Sequence, residues 1–265
     1  MALDSSLFAC QIPAQAYAVG DTIPMGCIRG PAVVRAGYGN AYLKKVFTTA
    51  LNGVAGFKVV VKNSNWVDDM SNHGIGMSET SLEDNSSNVQ RGHDCPLVPN
   101  SSWQVYLQCI KAGTETTASQ AFALIDVDYP SVSSIKNPRT EQGSPVTIDW
   151  AGLAVTVSAA TGNPANITWS TMNVDIFKAG YRYLLDQASF KTDSSSVMGF
   201  IEISGAAGQN GLTRIIPCRS GSAASIKYLI DYSTPLVKGP MNIAVAVTGT
   251  AGSDNVYLYT DWVKR

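Results

Sequence analysis

Two stretches of this chain, 143 residues apart, carry the same signature. Residues 35–61 read RAGYGNAYLKKVFTTALNGVAGFKVVV and residues 178–204 read KAGYRYLLDQASFKTDSSSVMGFIEIS. Ala36-Gly37-Tyr38 matches Ala179-Gly180-Tyr181, Phe47 matches Phe190 and Phe57 matches Phe200, every pair at the same separation. Further on, Pro96-Leu97-Val98 matches Pro235-Leu236-Val237 at a separation of 139. A chain whose halves share motifs in the same order is expected to fold each half on one plan. The sequence therefore predicts an internal duplication.

The plan is β. Alternating runs rich in branched and aromatic residues recur at short spacing: Ala32–Val34, Tyr42–Phe47, Phe57–Val61, Val105–Ile110 and Ala121–Val127 in the first half. Val146–Trp150, Ala154–Ser158, Ile167–Thr171, Tyr183–Leu185, Met198–Ile203, Ile226–Ile230, Ile243–Val247 and Val256–Trp262 follow in the second. Period-2 alternation is the mark of a half-buried strand. Between the runs lie Gly, Asn, Ser and Pro clusters, which are turn chemistry. No long segment keeps a 3.6 period, so at most one or two helical turns are expected. Lys111–Gln120 and Thr248–Asn255 read as Gly/Thr-rich hairpins. The fold class that follows is all-β: two tandem antiparallel β-sandwiches, jelly-roll-like, related by internal duplication.

The polar, proline-containing run PSVSSIKNPRTEQGSP shows no alternation and reads as an interdomain linker. The expected organisation is a first sandwich at 1–130 with a long loop at 62–102, a linker at 131–145 and a second sandwich at 146–265. A chain of 265 residues suits two domains of this size.

Charge narrows the partners. Nineteen Lys and Arg against twenty Asp and Glu leave a net charge of −1, and neither terminus carries a basic run. Direct nucleic-acid binding is not expected. Charged residues make up 15% of the chain, below the roughly 25% of ordinary soluble domains. No run approaches 18 apolar residues, so no membrane span is expected. The opening residues lack the charged and apolar regions of a secretory signal. Cys10, Cys27, Cys95, Cys109 and Cys218 are odd in number and scattered, which favours free, buried thiols in a reducing cytoplasm. On that basis the sequons at Asn85, Asn100 and Asn166 carry little meaning.

Candidate chemistry concentrates in 62–102, the longest stretch without alternation. It holds both histidines, and Trp66, Asp68, Asp69, His73, His93 and Asp94 are the candidate contact residues. Imidazole and carboxylates are metal-ligand types, but His73 and His93 stand 20 positions apart and the lone Cys95 completes no ligand spacing, so neither a metal nor another cofactor is expected. Paired carboxylates such as Asp68 or Glu83 with Asp94 could do acid–base work, yet loop carboxylates are ordinarily solvated. There is no Gly-x-Ser-x-Gly, and 205–211, though glycine-rich, lacks the Lys-Ser/Thr of a phosphate loop and reads as a hairpin. No catalytic residues are assigned, and an enzyme is not expected. The tryptophans could form a sugar-stacking platform. In strands they are more simply core, and Trp66 is the one outside the alternating runs.

The run Val19-Gly20-Asp21-Thr22-Ile23-Pro24, followed by Gly30 to Val46, resembles the opening of small β-sandwich structural proteins of tailed bacteriophages and other viruses. The tandem arrangement is more like the double jelly-roll coat proteins of certain double-stranded DNA viruses, although the jelly-roll flanking helices of those proteins are not evident here. The resemblance implies a virion structural protein, a capsid, decoration or tail-associated subunit working by self-association. It would be a homo-oligomer, trimer or larger, made in the host cytoplasm and located in the virion with other virion proteins. The alternative is a recognition module whose 62–102 loop meets a host receptor or glycan.

Overall fold

The computed structural model describes residues 2–32, 39–48, 55–63, 91–95, 102–129, 144–172, 182–192, 198–205, 213–219, 226–229, 237–238 and 241–264. They are β-strands and turns, with one 3-10 turn at Pro164–Asn166 among the described residues. No helix among them is long and apolar enough to cross a membrane. The chain divides into two compact units, one comprising Asp4–Ser131 with Ala160–Asn166, the other Met1–Leu3, Val132–Ala159 and Ile167–Arg265.

The first unit contains β1 (Ala2–Ile12) from Asp4 onward, β2 (Ala16–Tyr17), β3 (Thr22–Arg29), β4 (Gly39–Thr48), β5 (Gly56–Asn63), β6 (Arg91–Cys95), β7 (Trp103–Lys111), β8 (Gly113–Thr114) and β9 (Ser119–Tyr129). Seven of these form one sheet in the order β5-β7-β3-β1-β9-β4-β6, and β2 pairs with β8 as a short ribbon. Along β7 the pattern is that of a strand with one covered face: Trp103, Val105, Leu107 and Cys109 are buried while Gln104 is exposed. On β5, Val59, Val60 and Val61 are buried in succession, so both faces of that strand are covered.

The second unit contains β10 (Ser144–Ala159), β11 (Trp169–Met172), β12 (Arg182–Thr192), β13 (Met198–Gly205), β14 (Thr213–Arg219), β15 (Ile226–Leu229), β16 (Val237–Lys238), β17 (Met241–Gly249) and β18 (Gly252–Lys264). Its order is β14-β13-β17-β10-β18-β12-β15, with β11 beside β17 and β16 beside β12. Phe200, Ile201, Ile203, Ile243, Val245, Val256 and Leu258 fill its core.

Pairing in the second unit is nested. Leaving out the two-residue β16, the first strand pairs with the last (β10·β18), the second with the seventh (β11·β17), the third with the sixth (β12·β15) and the fourth with the fifth (β13·β14), all antiparallel. Two further antiparallel pairs, β12·β18 and β13·β17, wrap this long hairpin onto itself. In the first unit β1·β9, β3·β7 and β4·β6 repeat the nesting, and β4·β9 and β5·β7 repeat the wrap. The chain between β5 and β6 lies outside the described residues.

Two local details also correspond. Between Leu43 and Lys45 the register of β4 against β9 slips by one residue, and β12 slips against β18 between Leu185 and Gln187. Such a bulge bends a strand and raises its twist. Phe57, opposite Cys109, and Phe200, opposite Ala246, are both fully buried.

Three expectations change. The second unit's sheet is not wholly antiparallel, since β10 and β17 pair in parallel over Val157–Ala159. Lys111–Gln120 and Thr248–Asn255 are not hairpins: β7 and β9 are not sheet neighbours, and β10 lies between β17 and β18. A tight turn between alternating runs serves equally for strands that part to different neighbours, and the pattern carries no sign of which. Within the span taken as a loop at 62–102, residues 91–95 form a strand paired to Gly39–Leu43. Arg-Gly-His-Asp-Cys has no apolar alternation, and among the described residues β6 is the outermost strand of its sheet, held by backbone pairing to β4. β13 and β14 pair across residues 206–212, as a hairpin connection requires.

Candidate functional site

Of the candidate contact residues, Trp66, Asp68, Asp69 and His73 lie outside the described residues. His93 and Asp94 are consecutive on β6, opposite Ala41 and Asn40 of β4. The structure thus places those two on a sheet edge and describes no convergence of the six.

The Val19-Gly20-Asp21 motif builds a well-defined surface turn. Gly20 has φ of 98°, the left-handed region that a side chain disfavours. Asp21 N–H donates to Ala18 O at 3.1 Å, and Ala18 N–H donates to the Asp21 carboxylate Oδ2 at 2.8 Å. Gly20 N–H donates to Cys109 O at 2.9 Å and Cys109 N–H donates to Asp21 O at 2.8 Å, fixing the turn to β7. Val19 at its tip is 67% exposed and Ile110, next to Cys109, is 45% exposed. Both are large apolar groups facing water.

The outermost strands of the sheets, among the described residues, are the second feature. The first unit's sheet ends, among the described residues, on β6, whose sequence carries Arg91, His93 and Asp94. The second unit's sheet ends at one side, among the described residues, on β14, Thr-Arg-Ile-Ile-Pro-Cys-Arg. Pro217 has no N–H to offer a further strand, and charged edge residues oppose strand addition.

Of the cysteines, Cys10, Cys27 and Cys109 have described side chains. Cys10 and Cys109 are buried and Cys27 is half-buried, all three as free thiols. Burial pushes the Cys10 thiol up to about 12 and the Cys27 thiol up to about 11, the latter against an opposing hydrogen bond to Arg29 O. Thiols held protonated in this way are poor nucleophiles. Tyr17 is buried edge-on against Phe57, with ring centroids 5.0 Å apart, and its hydroxyl donates to Pro13 O at 2.9 Å. Burial pushes its phenol up to about 12, a side-chain hydrogen bond with Gln15 opposes the rise, and the carboxylates of Glu115 and Asp21 add to it. Tyr17 thus packs the β2–β8 ribbon against β5.

Sequence reasoning passed over the segment at 160–166, which the fold brings to the first unit. Its two asparagines and single proline have only the look of a turn.

No family model matches the chain, and no curated protein does. Among solved structures it is similar to the naturally occurring empty particles of cowpea mosaic virus, at 11% identity and a TM-score of 0.25 over 100% of this chain and 89% of that one. It is also similar to the T=1 particles derived from infectious bursal disease virus (10%, TM-score 0.27, 98% and 69%). Broad bean stain virus gives 11% and a TM-score of 0.26, over 99% and 90%. Likeness at this level carries no weight for fold or function.

Proposed function

We propose that this chain is a virion structural protein, a capsid, decoration or tail-associated subunit, built from two jelly-roll sandwiches related by duplication and working through self-association. The observation that carries the reading is the nested hairpin repeated in both units. A long antiparallel hairpin rolled upon itself, first strand against last and third strand against last, is the eight-stranded jelly-roll plan. Its recurrence with a one-residue bulge in the same strand pair supports one ancestral unit written twice. The halves proposed from sequence, 1–130 and 146–265 about a linker at 131–145, are the two copies, with the exception taken up below.

The physics of assembly supports the role. Sandwiches are rigid blocks with loops at their ends, and blocks of this kind repeat well in closed symmetric shells. Edges that carry Pro217, Arg214 and Arg219 on β14, or Arg91 and Asp94 on β6, favour contact through faces and loops over open-ended strand addition. A 15% share of charged residues lowers the cost of desolvating ions when wide surfaces meet. The sequence resemblance to viral coat sandwiches supplies the identity of the assembly.

Sedimentation velocity of the purified chain across a hundredfold dilution tests this. A trimer or larger species that survives dilution is expected. A monomer throughout, retained on a glycan array, contradicts it.

A further inference from the structure

Seven residues belong to a unit that their sequence neighbours do not. Residues 160–166 join β10 to β11, both strands of the second unit, yet they group with the first.

Their attachment is specific. Gln120, on β9 and fully buried, donates from Nε2 to Gly162 O at 2.9 Å. Gln11, on β1, donates from Nε2 to Thr161 O at 2.6 Å. Two primary amides thus read two successive backbone carbonyls. The segment is internally braced for the encounter: Ala165 N–H donates to Asn163 Oδ1 at 3.0 Å and Asn166 N–H donates to Asn163 O at 3.0 Å. Pro164 is buried and locks the following 3-10 turn, which packs beside β3. A braced turn loses little entropy on docking.

We propose that residues 160–166 are a clasp that completes the first unit, docked on a surface made by Gln11, Gln120 and β3 that recognises a short turn through its carbonyls and a buried proline. The amino-terminal half is therefore not autonomous, and dividing the chain at 131–145 removes part of its fold. The argument rests on hydrogen bonds within the first unit and does not depend on the virion reading, so either can fail alone.

Hydrogen exchange read by mass spectrometry on the full chain is the test. Gln120→Ala takes a bond from a buried position, and exchange of β1, β3 and β9 amides is expected to rise about ten- to a hundredfold. Gln11→Ala removes an exposed donor without opening the core, with a rise of about two- to fivefold in the same strands. β17 and β18 should keep their protection in both. Increases confined to 160–166, or equal increases in β17 and β18, overturn the proposal. If Gln120→Ala fails to fold, Gln11→Ala decides between the same two outcomes.

Discussion

Phe57 and Phe200 occupy corresponding places in the two units, so truncating each in turn asks whether the correspondence is energetic as well as topological. Each is fully buried, and each stands opposite a small residue on the neighbouring strand, Cys109 or Ala246. Phe→Ala at such a site loses the ring's transfer energy and leaves a cavity, about 3–5 kcal/mol in total. Phe57 meets Tyr17 edge-on at 5.0 Å and 82°, whereas Phe200 meets Trp169 at 6.1 Å and 39°. The former geometry is the better one, which puts Phe57→Ala at the upper end of that range. A typical domain holds about 5–15 kcal/mol, so either substitution removes about a fifth of it or more. Two units need not unfold in one transition, and a single melting temperature would blur them. Urea unfolding followed by pulsed hydrogen exchange resolves them, with β7 reporting the first unit and β17 the second. At about 2 kcal/mol per molar of urea, each midpoint should fall by about 2 M. The two costs should agree within about 1 kcal/mol. A cost below about 1 kcal/mol at either position refutes the claim that the two phenylalanines anchor equivalent cores.

Gly30 and Gly20 both have positive φ, but a Cβ at Gly30 would run into Ser5 O while one at Gly20 meets open space. Gly30→Ala should therefore cost about 3 kcal/mol or more and Gly20→Ala about 1–2, by urea denaturation. Cys10 and Cys27 should resist alkylation at pH 8 until denaturant is added, because burial keeps them protonated. Their folded pKa values lie above the unfolded thiol value, so the folded state binds more protons in between. Stability from these thiols is complete below about pH 9 and is lost as pH rises toward 11–12, and urea midpoints at pH 8 and 10.5 should show the fall. Replacing His73, His93 and Asp94 together with Ala should leave the sedimentation profile unchanged; assembly that needs an added metal ion would contradict this.

The strands that sequence revealed are those with one covered face or a core of branched residues. Runs such as Val105–Ile110 and Ala121–Val127 lie within β7 and β9. β1 escaped notice because Ser5 to Cys10 are all buried, so its pattern does not alternate, and two serines in the middle look like turn chemistry. Ser6 is accommodated by donating its hydroxyl to Pro31 O at 2.6 Å, a partner 25 residues away that no local pattern reveals. β6 escaped for the opposite reason, since an edge strand can be polar throughout. β10 was read as two runs because a register shift between Trp150 and Leu153 interrupts one 16-residue strand. Strand order was hidden because nesting pairs residues as far apart as Val146 and Trp262. The clasp at 160–166 was hidden for the same reason: its partners, Gln11 and Gln120, are distant in sequence.

Electron microscopy of the recombinant full-length chain, concentrated without other proteins, puts the central claim to the most direct test. Regular particles or lattices whose repeating subunit shows two similar lobes are expected. A dispersed field of single molecules, with no repeating contact at any concentration, would contradict the claim.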